Sequence, residues 1–299
     1  MISVTYLINA GCNERCLFCF NHWRENGLMD TLPHDKKEYI VKKICDMRPE
    51  HLAFSGGEPL IDKHFVALLQ YTRQQMPNLI LSVQTNATLL TEDITKKMKA
   101  AGVAYILISL HGQENEHNAL TGAKLYTKTI MGIKNAIAAH IPVVINTVVT
   151  SQNIAALPPF LKDVGSLGVS AVQLSALYAA GSVISRKYLF PSPGQQKELV
   201  SAVTTMILPY TLSFHAFDRE IVAPYSTDSC GAGEQEIAVF PNGDVTLCPA
   251  WEQSYGNLLQ DDWTVIIKRI EQGLVVESER KTACNDCGGC LLSKKAAVA

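Results

Sequence analysis

Three cysteines, Cys12, Cys16 and Cys19, stand in the run Ala10-Gly-Cys-Asn-Glu-Arg-Cys-Leu-Phe-Cys-Phe-Asn21. The spacing C-x-x-x-C-x-x-C closes three thiolates around one point from a single short loop. A cubane iron–sulfur cluster has four irons and normally takes four protein thiolates. Three from one loop leave one iron without a protein ligand, and an iron with an open position can bind a further molecule and do chemistry on it. A second constellation, Ser55-Gly56-Gly57-Glu58-Pro59, follows the apolar run Leu52-Ala53-Phe54. Its glycines permit backbone conformations closed to other residues and let the main chain approach a ligand that side chains would block.

A second cysteine group lies near the other end. Cys230 and Cys248 flank a hairpin with Gly243 between them, and Cys284, Cys287 and Cys290 follow as C-x-x-C-x-x-C. Four of these with one C-x-x-C knuckle also fit tetrahedral zinc. The chain's cysteines number 9, an odd count, and they are clustered rather than spread as a disulfide framework. In a chain without a leader segment, that pattern favours metal sites in a reducing cytosol.

Positioning these loops falls to an alternation of short β-rich runs and helical patterns. Strand-like runs cover 2–9, 51–55, 79–85, 103–110, 142–149 and 169–176, and helical patterns lie near 35–48, 62–76, 91–101, 126–139, 153–166 and 194–208. Asp35 and Thr91 are expected N-caps, and Gly102 a helix stop. Such alternation implies right-handed crossovers and a parallel sheet. Its ligands bind at the C-terminal strand ends, which is where the cysteine loop, Ser55–Pro59, Asn86, Ser109-Leu-His-Gly112, Asn146 with Thr147, and Gln173 with Ser175 all fall. After about residue 209 the pattern becomes irregular, then gives a hairpin over 236–248 centred on Asn242-Gly243 and a short helix near 261–271. The expected division is 1–209 for the main domain and 210–299 for an appendage.

Bulk properties narrow the field. Hydrophobic content is 47%, which supplies a sizeable core for 299 residues. Lys plus Arg number 26 and Asp plus Glu 28, a net charge of -2 that gives no reason to expect nucleic acid or an anionic membrane as partner. The start, Met1-Ile-Ser-Val-Thr-Tyr-Leu-Ile-Asn9, lacks the basic n-region of a signal peptide, and no apolar stretch is long enough to cross a bilayer, so a cytoplasmic protein is expected.

The cysteine loop, with Phe18 before its third cysteine, followed one strand–helix unit later by Ser55–Pro59, resembles the radical S-adenosylmethionine (SAM) superfamily over nearly the whole chain. The resemblance implies a partial (β/α)6 barrel. It implies a [4Fe–4S] cluster on Cys12, Cys16 and Cys19, with SAM on its open iron. The loop of Ser55, Gly56, Gly57, Glu58 and Pro59 would hold the SAM amino group and Phe18 would lie beside the adenine. Asn86 and Ser109 would come near SAM, with Asn146, Gln173 and Ser175 as SAM or substrate contacts. The tail resembles the SPASM auxiliary-cluster extension in its shortened twitch form. A second [4Fe–4S] cluster would draw its four ligands from Cys230, Cys248, Cys284, Cys287 and Cys290, leaving one cysteine over.

The same resemblance implies an electron from a flavodoxin- or ferredoxin-like donor, homolytic cleavage of SAM to a 5′-deoxyadenosyl radical, and hydrogen abstraction from a substrate carbon. A leftover thiol, with Cys45 and Cys290 as candidates, could return a hydrogen atom and give epimerisation. Against that role, Cys45 sits among Ile40, Val41, Ile44 and Met47 at helical spacing and reads as core. His111 and His117 read as solvated or as local hydrogen-bond partners rather than ligands, and Trp23 and Trp251 as packing or wall residues. Three functions compete. The first is an oxidoreductase or maturase that oxidises, epimerises or crosslinks a ribosomal peptide. The chain begins almost directly with its first strand, so this reading expects a separate leader-binding protein. The second is a dehydrogenase or epimerase of a small, amino sugar-like molecule. The third is a non-catalytic zinc or iron–sulfur module, which explains the cysteines but not Ser55–Pro59.

Overall fold

Alternate residues of the first strand, Val4 and Tyr6, are buried, and the same alternation recurs at Leu52 and Phe54, Leu81 and Val83, Ile106 and Ile108, Val143 and Ile145, and Val172 and Leu174. These are the positions that face the covering helices. In the computed structural model, which describes residues 2–21, 32–217, 219–222 and 235–281, ten strands form one sheet. Strands β1 (Ser3–Leu7), β2 (His51–Ser55), β3 (Ile80–Thr85), β4 (Tyr105–Ser109), β5 (Val143–Val148), β6 (Ala171–Ser175) and β7 (Thr211–His215) run parallel in chain order. On the other side of β1, β8 (Glu236–Val239) also pairs parallel, and β9 (Asp244–Thr246) and β10 (Gly256–Asn257) turn back antiparallel.

The crossovers are α1 (His34–Asp46), α2 (Phe65–Gln75), α3 (Glu92–Ala100), α4 (Glu114–Thr121) with α5 (Tyr126–Ala138), α6 (Leu157–Gly165) and α7 (Pro193–Thr204). The short α8 (Arg219–Val222) and the long α9 (Trp263–Lys281) follow. This is the mixed α/β, mostly parallel fold of the expected partial barrel.

The six expected strands and the crossover helices between them all form. Thr91 caps α3 by accepting a hydrogen bond from the Ile94 N–H at 3.3 Å, while α1 begins after Pro33 and Asp35 lies inside its first turn rather than at the cap. Gly102 follows α3 in a left-handed conformation, φ +75°. Four elements lie outside the sequence expectations: β7, α4, the short α8 and the short β10. β7 forms where the sequence pattern reads as irregular, although Thr-Leu-Ser-Phe-His alternates as a half-buried strand does, and α4, a polar helix of 8 residues, carries little apolar periodicity. The hairpin turns at Asn242-Gly243, with Gly243 at φ +90°. Its first strand hydrogen-bonds directly to β1, so residues 236–257 extend the same sheet. Cys230, Cys284, Cys287, Cys290 and Trp23 lie outside the described residues.

Candidate active site

The cysteine loop leaves β1 at Ile8 and is fastened from two sides. The N–H groups of Arg15 and Leu17 donate to the carbonyls of Thr121 and Leu120 at the end of α4, each at 2.8 Å, and the Arg186 guanidinium donates to the Leu17 carbonyl at 2.7 Å. Cys12, Cys16 and Cys19 are half-buried. The Glu14 N–H points at Cys12 Sγ at 3.4 Å, and the Cys16 thiol lies 3.6 Å from Glu14 Oε2. Burial, then the charges of Glu14, Cys19 and Cys12, pushes the Cys16 thiol well above the ordinary thiol range. Burial likewise pushes the Glu14 carboxyl up to about 7.

An all-thiol set whose members disfavour each other's ionisation is relieved by a cationic partner, so the donor chemistry fits an iron–sulfur cluster. Among the described residues no group of three His, Cys, Asp or Glu is gathered as closely as ligands on a single ion.

The Ser55–Pro59 loop is locked onto the cysteine loop through main chain. The Gly57 N–H donates to the Asn9 carbonyl at 2.9 Å, the Glu58 N–H to the Gly11 carbonyl at 2.7 Å, and Asn9 Nδ2 to the Glu58 carbonyl at 2.9 Å. A Cβ on Gly57 would lie 2.2 Å from the Gly11 carbonyl oxygen, and one on Gly56 (φ +151°) 2.6 Å from Asn9 Oδ1. Only glycine allows that approach.

Glu58 itself is fully buried. Its carboxylate accepts from Thr85 Oγ1 at 2.7 Å, the Asn86 N–H at 2.8 Å and the Leu60 N–H at 3.0 Å, tying the end of β3 to this loop. Burial pushes its pKa up to about 7 against those three hydrogen bonds, which lower it. Asn86 in turn donates to Asn13 Oδ1 at 2.7 Å and accepts from Thr88 Oγ1 at 2.7 Å. Asn13 donates to Thr88 Oγ1 at 2.7 Å, which brings the cysteine loop, β2 and β3 together. Asn9, Asn13, Thr85 and Thr88 were not singled out from sequence; single polar residues at strand ends carry no spacing signal.

Phe18 meets the His111 ring edge-on at 4.5 Å and packs with Leu17, Val148 and Phe190 on a small apolar cluster of Leu120, Leu177, Val183 and Leu189. His111 and His117 are both buried rather than solvated. The Val148 N–H donates to His111 Nδ1 at 3.2 Å, and the His111 N–H donates to His117 Nδ1 at 3.3 Å. Burial, with His117 adding to it, holds His111 well below the ordinary imidazole range, and burial lowers His117 to about 4. Two neutral rings thus stand behind Phe18.

Parallel register aligns Ser109 with Asn146 and Asn146 with Gln173. Asn146 Oδ1 accepts from Ser175 Oγ at 2.7 Å and from Gln173 Nε2 at 3.4 Å, and Gln173 Nε2 also donates to Ser175 Oγ at 3.2 Å. At the end of β7, His215 Nε2 lies 2.6 Å from Tyr178 Oη, and the Tyr178 ring meets Phe20 edge-on at 5.6 Å. Phe20, Tyr178, Cys248 and Trp251 pack together on Ala180 and Ala250, so the residue after Cys19 and the one described cysteine of the second group share a cluster. Cys45 is elsewhere. It is buried with Ile40 and Ile44 in the helix–sheet core, and burial pushes its thiol up to about 11.

A family model described as the radical SAM superfamily matches residues 6–164. An AdoMet-dependent heme synthase of Methanosarcina barkeri is 27% identical over 180 residues, 60% of this chain and 51% of that protein. A probable GTP 3′,8-cyclase of Saccharolobus islandicus is 26% identical over 249 residues, 79% of each. The chain thus spans about half the length of the first of these relatives. Among solved structures, SuiB of Streptococcus suis bound to precursor peptide SuiA superposes with a TM-score of 0.72 at 17% identity, over 89% of this chain and 64% of SuiB. Native anSMEcpe with bound AdoMet superposes with a TM-score of 0.70 at 18% identity, over 91% of this chain and 82% of that one. Those likenesses show a shared fold.

Proposed function

The chain belongs to the radical SAM superfamily, and from that premise we propose that it is a radical SAM oxidoreductase or maturase that modifies a peptide. Cys12, Cys16 and Cys19 hold the [4Fe–4S] cluster and the Gly56–Gly57 main chain takes the amino end of SAM. When bound, the pair supplies reductive cleavage of SAM and a 5′-deoxyadenosyl radical able to take hydrogen from an unactivated carbon. The protein's own task is position and exclusion. Phe18, set by His111, forms an apolar wall beside the cluster loop, and Glu58 fixes the ends of β2 and β3 against it. Cys248, with Cys230 and ligands from Cys284, Cys287 and Cys290, holds an auxiliary cluster. A flavodoxin- or ferredoxin-like protein supplies the electron. Among the described residues no helix is long and apolar enough to cross a membrane.

The observation that carries this reading is the main-chain lock between the two loops, at 2.7 and 2.9 Å, which sets a glycine-lined ledge against the three thiols. The peptide part draws on SuiB and anSMEcpe, which share the fold and were solved with peptides bound. Anaerobic reconstitution with iron, sulfide, SAM and dithionite tests it. The protein is expected to turn brown and release 5′-deoxyadenosine, with release lost in Cys16→Ala. A colourless protein containing zinc and releasing none refutes the proposal.

A further inference from the structure

Successive residues of a strand point to opposite faces of the sheet. In β1–β7 one face is the apolar layer under the helices, with Val4, Phe54, Val83, Ile106, Ile145 and Leu174 all fully buried. The other faces the barrel interior, and every residue on it from β1 to β7 is uncharged in side-chain type or a histidine. His51, between Ser3 Oγ and Ser82 Oγ at 2.8 Å each, is held below its ordinary pKa by burial and is neutral. No Lys or Arg on these strands is available to neutralise an anion.

Within this uncharged interior the side chains of Gln84, Ser55 and Ser109 make no hydrogen bond among the described residues, and one pair aligned on neighbouring strands is partly engaged. Asn146 and Gln173 are aligned across β5 and β6 and are half-buried. Asn146 uses Oδ1 and Gln173 uses Nε2 in the hydrogen bonds to each other and to Ser175. Among the described residues no hydrogen bond engages Asn146 Nδ2 or Gln173 Oε1. The pair therefore offers the interior one donor and one acceptor about one strand spacing, ~4.8 Å, apart. An extended residue presents its own N–H and C=O along one edge, the complement that a neighbouring strand would satisfy.

We propose that Asn146 and Gln173 form a substrate subsite that grips one uncharged residue of an extended peptide by its main-chain N–H and C=O. The uncharged interior around them excludes anionic substrates such as nucleoside triphosphates. The inference rests on the peptide reading above, and it assigns the two residues to substrate rather than to SAM.

The test uses reconstituted, SAM-loaded protein kept oxidised so that it does not turn over. Saturation-transfer NMR compares three probes: N-acetylglycine N-methylamide, which carries both main-chain groups; N-acetylglycine, a carboxylate of similar size; and GTP. The blocked amide is expected to receive the strongest transfer. Asn146→Asp keeps an acceptor for Ser175 and Gln173 but replaces the donor with a charged carboxylate oxygen, so the dissociation constant for the amide should rise about tenfold. Gln173→Met should do the same, and iron content with the unfolding midpoint identifies a variant that has not folded, in which case the other decides. Equal transfer to all three probes, preference for GTP, or folded variants that bind the amide as wild type does would each overturn the inference. Wild-type protein that cleaves SAM yet shows no amide preference overturns this inference and leaves the proposed function standing; wild-type protein that does not cleave SAM overturns that function.

Discussion

Gly57 and Gly11 face each other across the loop contact, yet their tolerance of a methyl group differs sharply. A Cβ on Gly57 runs into the Gly11 carbonyl, whereas one on Gly11 meets nothing within 4 Å. Gly57→Ala should therefore cost about 3 kcal/mol of unfolding free energy by forcing backbone apart, while Gly11→Ala stays within about 0.5 kcal/mol of wild type; urea unfolding of both variants checks the contrast. His117 gives a second prediction. Its folded pKa of about 4 lies below the ordinary 6.5. Above 6.5 the ring is neutral in both states. As pH falls from 6.5 toward 4 the unfolded chain takes the proton and the folded one does not, so stability drops by about 1.4 kcal/mol per pH unit, roughly 3 kcal/mol in all. Wild type should lose that much relative to His117→Leu across the window; parallel curves for the two proteins would contradict it.

At the scale of elements, what was legible in the sequence follows from what carries a periodic signal. β1 to β6 and the crossover helices between them repeat apolar residues at fixed spacing, and the cysteine and glycine loops stand directly after β1 and β2. The missed parts have other physics. Thr211–His215 is short and half-buried, so its alternation is weak, and Glu114–Thr121 is held by its contacts with the cysteine loop rather than by an apolar stripe. The burial of His111 and His117 depends on Phe18, Val148 and Tyr126 closing round them, which no local pattern encodes. The Glu58 strut joins two strand ends far apart in sequence for the same reason.

One inter-element contact is testable directly. Lys37 on α1 lies 2.7 Å from Asp62 Oδ2, just after the turn that Pro59 opens, and both side chains are largely shielded. Burial raises the Asp62 pKa, but the bonds from Lys37 and the His64 N–H outweigh it and hold the carboxyl below its ordinary range. Lys37→Met should strand that carboxylate and cost about 3 kcal/mol, and an added Asp62→Asn should recover part of the loss in a double-mutant cycle.

Seen whole, the molecule is one sheet whose two edges serve one mouth. β8 sits against β1, so the segment leading to Cys248 lies beside the strand that leads into Cys12, and Ala180 and Ala250 bring Phe20, Tyr178 and Trp251 into one cluster between them. β7 closes the opposite side with His215. The proposed chemistry depends on a cluster that would be gripped by only three cysteines, leaving one iron for SAM. Electron paramagnetic resonance of the anaerobically reduced protein tests this most directly. Protein carrying only the N-terminal cluster, obtained with Cys248→Ala and Cys287→Ala, should give a reduced [4Fe–4S] signal whose g values shift when SAM is added, because SAM binds the cluster itself. A cluster signal indifferent to saturating SAM, or no cluster signal from that loop at all, would contradict the account.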